Sequence, residues 1–197
     1  MKIGIDLDDV TVECAKHFLQ IHKDRTGINV GIDEINTYNL WIPLQIEKEE
    51  AIQIFKDFED YGFHDNPEFI FNAKESINKL SQFSDLFFVT ARPEWIKEKT
   101  INFVNKHFSN KGVYFSGDFH KEQTKSKADI CLELELDLMI EDQAGIAEDC
   151  SKRGIRVFLF DKPWNQELND SLHENVTRVS SWEDILEKIN LLEIKNE

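Results

Sequence analysis

The sequence predicts an α/β protein with a Rossmann-like three-layer core, in which helices cover both faces of a parallel sheet, and a small helical cap. From residue 73 onward, short apolar segments alternate with amphipathic helical segments, which is the pattern of a parallel sheet with crossover helices. Between the first strand and this alternation, residues 15–72 contain no comparable strand. We therefore predict a core formed by residues 1–14 and 73–197, with residues 15–72 inserted as the cap.

The predicted strands are short and strongly apolar. Ile3, Ile5 and Leu7 favour a buried extended segment, in which Gly4 permits close approach of the backbone. Segments of the same character follow later in the chain: DLFFVT (85–90), GVYFSG (112–117), DLMI (137–140) and IRVFLF (155–160). Near-continuous apolar runs of this length are typical of strands that are buried on both faces of a sheet.

Helices are predicted between these strands from apolar residues at three- and four-residue spacing. Pro93 can start one helix, others are expected around 123–134 and 143–152, and Ser180 and Ser181 open the last one. The apolar faces that define three of these helices consist of Ala73, Ile77 and Leu80; Ile101, Val104 and Phe108; and Ile185, Ile189 and Leu192.

The predicted cap contains one amphipathic helix and several further aromatic side chains. The apolar face of the helix consists of Ala51, Ile54, Phe55 and Phe58. Outside the helix, the aromatic residues Trp41, Tyr61 and Phe63 add to the apolar mass of the cap. Such side chains form either a miniature core or the wall of a binding pocket, and we assign Phe55 and Phe58 to the core of the cap.

Composition and charge exclude several classes of function. Hydrophobic residues make up 41% of the chain and charged residues 31%, as in soluble globular proteins. The net charge of −15 argues against binding to a nucleic-acid polymer, because contacts with its phosphates require a basic face. No signal-peptide pattern or membrane-spanning run is visible, and Cys14, Cys131 and Cys150 lack the paired spacing of a zinc site. We expect a cytoplasmic protein with reduced thiols and no membrane partner.

Reactive side chains follow four of the predicted strands in order. They are Asp6 and Asp8, then Thr90, then Lys127, and finally Glu141 and Asp142. The carboxyl ends of parallel strands meet at one edge of a sheet, where ligands bind in such folds. Carboxylates are suitable ligands for a hard cation such as Mg²⁺, while a hydroxyl and an amine are suitable partners for phosphoryl oxygens. The sequence therefore predicts a site for Mg²⁺ and a phosphate group.

Each of these groups has a simpler explanation when it is considered alone. The DLDD segment (6–9) could be a solvated turn, and Thr90 could bond to neighbouring backbone. Lys127 lies among other lysines, and the acidic pair 141–142 suits an ordinary helix N-terminus. The order of the whole set along successive strands favours the site over these separate explanations.

These residues resemble the four motifs of haloacid dehalogenase superfamily phosphatases. The motifs correspond to DLDDV (6–10), Thr90, Lys127 and the pair 141–142. Further segments resemble the 5′(3′)-deoxyribonucleotidase branch and its bacterial nucleotidases: YNLW (38–41), VTARP (89–93), IEDQ (140–143), FDKPWN (160–165) and RVSSW (178–182). The resemblance covers nearly the whole chain, and its catalytic motifs are more specific than its nucleotidase segments.

The resemblance implies a role for each site residue. Asp6 would attack phosphorus and form an aspartyl-phosphate, and Asp8 would act as general acid and base. Thr90 and Lys127 would hold the phosphate, and Lys127 would also keep Asp6 ionised. The implied ligands of the Mg²⁺ cofactor are Asp6, the backbone carbonyl of Asp8, and Asp142, with Glu141 behind them.

Two positions depart from the pattern of the relatives. Asp9 stands where many of them have glycine, so the turn must accommodate one more negative charge. Arg92 follows Ala91 where the animal deoxyribonucleotidases differ. Arg92 either contacts the phosphate or the nucleoside, or it pairs with an acidic neighbour.

The function implied is hydrolysis of phosphate monoesters, with a (deoxy)ribonucleoside monophosphate as the small phosphorylated partner and a homodimer left open. Trp41, Phe18, Tyr38 and Phe63 are the candidates for the substrate pocket, and Trp41 is favoured because Pro43 stiffens its loop. The main alternative is a phosphatase for sugar phosphates or other small monoesters.

Two non-enzymatic alternatives agree less well with the sequence. A phospho-receiver domain is shorter and carries its phosphorylated aspartate in the middle of the chain, whereas Asp6 is near the N-terminus. A catalytically silent nucleotide-binding protein would have no need for an acid such as Asp8.

Overall fold

The computed structural model of the protein describes residues 1–109, 111–117, 125–169 and 174–194. Within these residues, six parallel strands form one sheet in the order β3-β2-β1-β4-β5-β6. The strands are β1 (Lys2–Ile5), β2 (Asp85–Thr90), β3 (Gly112–Phe115), β4 (Leu138–Glu141), β5 (Arg156–Phe160) and β6 (Val176–Val179). The predicted α/β fold with a parallel sheet is confirmed.

Helices flank this sheet. They are α1 (Cys14–Thr26), α2 (Lys48–Asp57), α3 (Ala73–Leu80), α4 (Lys97–Phe108), α5 (Lys127–Glu133), α6 (Ala144–Lys152) and α7 (Trp182–Ile194). Alternate residues of each strand enter different hydrophobic clusters, because successive side chains point to opposite faces of a sheet. In β4, for example, Leu138 and Ile140 join one cluster and Met139 joins the other.

The central position of β1 brings three strand ends together. Ile5 is paired with Phe88 of β2 on one side and with Ile140 of β4 on the other. β2 and β3 extend the sheet on one side of β1, and β4, β5 and β6 extend it on the other, so the strand order switches direction at β1. Residues that follow β1, β2 and β4 therefore meet at one edge of the sheet.

Most element predictions agree with the structure, and three details differ. The strand at Val176–Val179 was not predicted, because its exposed Thr177 and half-buried Arg178 interrupt the apolar run. In α4, Ile101 is only half-buried, and Phe103 joins Val104 and Phe108 in the buried face. The helix predicted at 123–134 begins at Lys127, and residues 123–124 lie outside the described residues.

The segment between β1 and α3 contains α1 and α2, of which α2 matches the predicted helix and α1 was not predicted. Its interior is aromatic: the rings of Phe55 and Phe58 lie 5.3 Å apart, and those of Phe58 and Phe63 lie 4.8 Å apart. Phe18 of α1 joins this cluster at 4.8 Å from Phe55. The assignment of Phe55 and Phe58 to a local core agrees with these contacts, and the boundaries at 15 and 72 stay a prediction.

A tryptophan at the start of α7 fixes the loop that follows β1. The Trp182 ring is fully buried, and its Nε1 donates to the carbonyl oxygen of Val10 at 2.9 Å. Because a buried carbonyl without a donor is costly, this bond stabilises the loop in one conformation. None of the helices in the described ranges has the length and apolar character needed to cross a membrane.

Candidate active site

Asp6 follows β1 directly, and hydrogen bonds to other residues fix both its backbone and its side chain. Its N–H donates to the carbonyl of Ile140 at 3.0 Å, and the Thr11 hydroxyl donates to the Asp6 carbonyl at 2.7 Å. The N–H of Leu7 donates to Asp6 Oδ1 at 2.8 Å. Only 3% of Asp6 is exposed. The carboxylate is therefore buried in a fixed orientation at the sheet edge.

Lys127 joins carboxylates from two different strand ends. Its Nζ lies 2.8 Å from Asp6 Oδ2 and 2.8 Å from Glu141 Oε2, and 1% of the lysine is exposed. Burial alone would lower the pKa of Lys127, but the two carboxylates outweigh it and raise the pKa, so the ammonium stays charged. The helix start that carries it is fixed by Ser126, whose hydroxyl accepts from the N–H of Asp129 at 3.1 Å.

One lysine is not enough to neutralise the acidic cluster. Burial raises the pKa of Asp6 to about 8 and that of Asp142 to about 8, although Lys127 opposes the shift in both. Burial likewise raises the pKa of Glu141 to about 7. Carboxylates with raised pKa values release their protons readily only when more positive charge is brought near them. The cluster therefore has the electrostatics of a cation site.

The donor atoms also fit a divalent cation. One oxygen from each of Asp6, Glu141 and Asp142 lies within 4.8 Å of the others. Both Glu141 oxygens already have donors, since Oε2 accepts from Lys127 and Oε1 accepts from the N–H of Gln143 at 3.1 Å. Asp142 Oδ1, in contrast, is buried without a hydrogen-bond partner among the described residues. A hard oxygen atom in this state is a suitable Mg²⁺ ligand, with Glu141 as a support behind it.

Asp142 is held in place by residues of the FDKPWN and RVSSW segments. Trp164 Nε1 donates to Asp142 Oδ2 at 2.8 Å. Asn165 donates through Nδ2 to the carbonyls of Asp142 and Phe160, each at 2.7 Å. Its Oδ1 accepts from Arg178 at 2.6 Å. These segments resembled the nucleotidase branch without an evident role, and the structure shows that they support an acidic site residue.

Asp8 forms a two-point ion pair with Arg92, which follows β2. The guanidinium donates through Nε to Asp8 Oδ2 at 2.9 Å and through Nη2 to Oδ1 at 2.6 Å, while Nη1 reaches Thr100 Oγ1 at 3.4 Å. Burial would raise the pKa of Asp8, but the charge and hydrogen bonds of Arg92 lower it below the usual value. Of the two alternatives for Arg92, the structure thus shows pairing with an acidic neighbour.

Thr90 and Asp9 complete the strand-end residues. Thr90 is fully buried, and its Oγ1 accepts from the N–H of Arg92 at 3.2 Å, so the hydroxyl hydrogen can be donated to a ligand. Asp9 has φ of 60°, a conformation that aspartate tolerates better than most residues. Its two oxygens accept from the N–H of Ala15 at 3.0 and 3.1 Å, near the start of α1. The extra carboxylate at this turn therefore contacts a helix N-terminus, which favours negative charge.

A cavity of about 300 Å³ opens beside these groups. Asp6, Asp8, Arg92 and Lys127 belong to the polar part of its lining, which also includes Asn39, Lys48, His64 and Gln143. Of the predicted pocket residues, Tyr38, Trp41 and Phe63 also line it. Phe18 does not, which corrects the prediction for this residue. Its ring is fully buried against Phe55, so Phe18 contacts a ring of the lining without being part of the lining itself.

Phe55 and Phe58, assigned to the core of the cap, line the cavity as well. Sequence reasoning also missed two further rings of its lining, Trp95 and His64. Trp95 is 48% exposed, just after the VTARP segment. His64 is buried, and neither ring nitrogen has a hydrogen-bond partner among the described residues. Burial lowers the pKa of His64 to about 4, so the ring is neutral near pH 7. No motif marks either residue, and only their position after Pro93 and beside Phe63 hints at a role.

Solved structures with the same fold place the protein in a class. A conserved haloacid dehalogenase-like protein from Agrobacterium tumefaciens superposes with a TM-score of 0.70 at 16% identity, over 97% of this chain and 98% of that one. A haloacid dehalogenase family hydrolase from Deinococcus radiodurans, solved with bound phosphate and sodium, has a TM-score of 0.64 at 12% identity, over 93% and 92% of the two chains. The fold is therefore that of haloacid dehalogenase-like proteins.

Sequence comparison narrows this class to a family. The model of the family described as 5′ nucleotidase, deoxy (pyrimidine), cytosolic type C protein matches residues 1–196, and the chain belongs to that family. Over its full length the chain is also 26% identical to a nucleotidase of Clostridium acetobutylicum, of which it covers 97%. The protein is therefore a phosphoric monoester hydrolase of the nucleotidase type, which acts on a small phosphorylated substrate.

The two acidic residues at the end of β4 should differ in their effect on metal affinity. Asp142→Asn removes the charge of the carboxylate whose Oδ1 has no donor among the residues that the structure describes, so Mg²⁺ affinity should fall by about 100-fold or more. Glu141→Gln changes a side chain whose oxygens are already bonded to Lys127 and Gln143, so the loss should be about tenfold. Calorimetric titration of metal-free protein measures both, and a larger loss in the Glu141 variant would reverse the assignment.

Proposed function

We propose that the protein is a Mg²⁺-dependent 5′(3′)-deoxyribonucleotidase that works through an aspartyl-phosphate on Asp6. The observation that carries this proposal is the buried Asp6 carboxylate, held at 2.8 Å by Lys127 near Asp142 Oδ1, which has no hydrogen-bond partner in the described ranges. Family membership and the nucleotidase relative from Clostridium acetobutylicum support the choice of substrate class. The division into a core and a cap at 15–72 belongs to the same proposal.

In the first step, a carboxylate oxygen of Asp6 forms a bond to phosphorus while the bond from phosphorus to the leaving oxygen breaks. Asp8 lines the same cavity and donates a proton to the leaving alkoxide. In the second step, Asp8 takes a proton from water, the water oxygen bonds to phosphorus, and the bond to Asp6 breaks. The products are the alcohol and inorganic phosphate, and both aspartates return to their initial states.

Attack by a carboxylate on a phosphate brings two anions together, so the site must supply positive charge. Lys127 supplies one charge next to Asp6, and Thr90 offers a hydroxyl to the transferring oxygens. Mg²⁺ would be held by Asp6, Asp142 and the backbone carbonyl of Asp8, and it would supply the further charge that both anions need.

Arg92 orients the proton carrier. Because the guanidinium holds both oxygens of Asp8, the carboxylate presents a defined edge to the cavity. The ion pair also stabilises the ionised form of Asp8, which is the form that acts as base in the second step. Donation in the first step requires a proton on Asp8, which the carboxylate can take up from solvent when an anionic substrate competes for the guanidinium and the contact with Arg92 loosens.

Substrate choice is assigned to the aromatic part of the cavity. Tyr38, Trp41 and Phe63 offer apolar faces for a base and sugar beside the phosphate-binding groups. Base–aromatic stacking contributes about 1–3 kcal/mol in nucleic-acid sites, which is sufficient to prefer nucleotides over sugar phosphates.

A cytoplasmic location agrees with the buried free thiols of Cys14, Cys131 and Cys150. The mechanism uses one chain, and a homodimer stays open.

The nucleophile is tested by Asp6→Asn. The substitution keeps the shape of the side chain but removes its nucleophilic charge, so hydrolysis of an aryl phosphate should fall about a thousandfold or more. Excess chelator should abolish the activity of the unchanged protein, and Mg²⁺ should restore it. The matched control is Asp85→Asn, an exposed aspartate at the start of β2. Full activity in the Asp6 variant, or in chelator, would contradict the mechanism.

The proton carrier is tested by the dependence on the leaving group. Asp8→Asn should slow hydrolysis of an alkyl phosphate about 10²–10⁴-fold, because an alkoxide leaves poorly without a proton. The loss should be clearly smaller for an aryl phosphate, whose leaving group is stable as an anion. Comparison of kcat for the two esters decides the question, and equal losses would count against Asp8 as the acid.

Trp41 tests the substrate class. Trp41→Ala should lower kcat/KM for deoxyribonucleoside monophosphates about tenfold to a hundredfold and leave hydrolysis of a small aryl phosphate nearly unchanged. Tyr61→Ala is the control, since Tyr61 is an exposed aromatic residue of the same segment. Equal losses for both substrates would indicate a structural role for Trp41. Sugar phosphates with a higher kcat/KM than every nucleotide would favour the general phosphatase alternative.

A further inference from the structure

The Asp142 carboxylate is asymmetric in its contacts. Its Oδ2 accepts the indole N–H of Trp164 at 2.8 Å, and its Oδ1 is buried with no hydrogen-bond partner in the part of the chain that the structure describes. A tryptophan N–H can donate but cannot accept, so it pairs with this oxygen and does not compete for a cation. One oxygen of the carboxylate is thus reserved for the protein and the other is left for a ligand.

Trp164 cannot easily withdraw from this contact. The ring is 3% exposed and lies in a short 3-10 turn, Pro163–Asn165. The next residue, Asn165, is fully buried and fixes the turn through its bonds to the Asp142 and Phe160 carbonyls. Arg178 of β6 in turn holds Asn165 at 2.6 Å. The indole donor is therefore part of a packed network and not a mobile side chain.

A carboxylate oxygen that accepts a fixed hydrogen bond keeps a second lone pair but is the weaker and less freely oriented metal ligand of the two. Mg²⁺ is small, requires near-ideal octahedral geometry and is usually bound through single carboxylate oxygens. Ca²⁺ is larger, takes six to eight oxygens as a rule and commonly binds both oxygens of one carboxylate. A fixed donor on Oδ2 thus penalises the two-oxygen mode that benefits Ca²⁺ and leaves the one-oxygen mode of Mg²⁺ unaffected.

We propose that Trp164 is a positioning residue that selects Mg²⁺ over Ca²⁺ by keeping Asp142 a one-oxygen ligand. The inference rests on the proposed Mg²⁺ site and adds to it the residue that sets the choice of ion. Asp6 differs from Asp142, since both of its oxygens accept donors, Oδ1 from Leu7 and Oδ2 from Lys127. Trp164 differs from those donors because it comes from outside the four catalytic motifs.

The test compares two ions in the full-length, metal-free protein without substrate. Mg²⁺ and Ca²⁺ are titrated separately by calorimetry into the unchanged protein, Trp164→Phe and Trp95→Phe. Trp164→Phe keeps an aromatic ring but removes the N–H, so the preference for Mg²⁺ over Ca²⁺ should fall about tenfold or more. Trp95→Phe removes an indole of the cavity lining that is not the donor to Asp142, and the preference should not change. An unaltered preference in a cooperatively folding Trp164→Phe would overturn the inference.

Asp142→Asn separates this inference from the proposed function. If Asp142→Asn binds Mg²⁺ as tightly as the unchanged protein, the ion binds elsewhere, and both the metal site and the role of Trp164 are wrong. If binding is lost in Asp142→Asn while Trp164→Phe keeps the full ion preference, only the role of Trp164 is wrong. The result expected is loss of binding in the first variant and loss of preference in the second.

A measurement on the unchanged protein covers the case in which Trp164→Phe does not fold. The chain has four tryptophans, so the indole N–H signals in a ¹⁵N NMR spectrum are few enough to assign. In the Mg²⁺-saturated protein, the Trp164 N–H should stay protected from exchange with solvent because its bond to Oδ2 persists. Rapid exchange of that signal on Mg²⁺ binding would show that the ion takes both oxygens, and the inference would fail.

Discussion

The ion pairs of Lys127 are the interaction on which the rest of the site depends. Asp6 and Glu141 come from neighbouring parallel strands, and each carboxylate lies 2.8 Å from the same ammonium in a buried environment. Removing one partner from such a cluster leaves a charge without compensation, which is far more costly than losing a surface ion pair. The strand order, the start of α5 and the burial of the carboxylates must therefore be maintained together.

The same electrostatic constraint connects the fold to the proposed chemistry. Burial makes the carboxylates reluctant to ionise, and Lys127 compensates only part of that cost. A divalent cation on Asp142 would provide the rest, and it would do so at the place where an anionic phosphate must approach Asp6. The Trp164, Asn165 and Arg178 network then has a clear purpose, because it holds Asp142 ready for the cation.

Much of this arrangement was predictable from the sequence, because parallel strands force their carboxyl ends to one edge. That geometry was enough to bring Asp6, Lys127 and Glu141 together before any contact was known. The contact of Trp164 with Asp142 was not predictable, since it depends on a turn 22 residues away in the chain. Phe18 was assigned wrongly for a similar reason: an apolar spacing does not tell whether a ring faces a cavity or a neighbouring helix.

The most direct test of the central claim is the coupling between Lys127 and Asp6 in metal-free buffer, measured as free energies of unfolding in urea. Lys127→Met alone should destabilise the protein by about 3–5 kcal/mol, because it leaves buried carboxylates without their cation. The double variant Lys127→Met with Asp6→Asn should recover a substantial part of that loss, since one of those carboxylates is then gone. Strictly additive losses in the two single variants and the double variant would contradict the account.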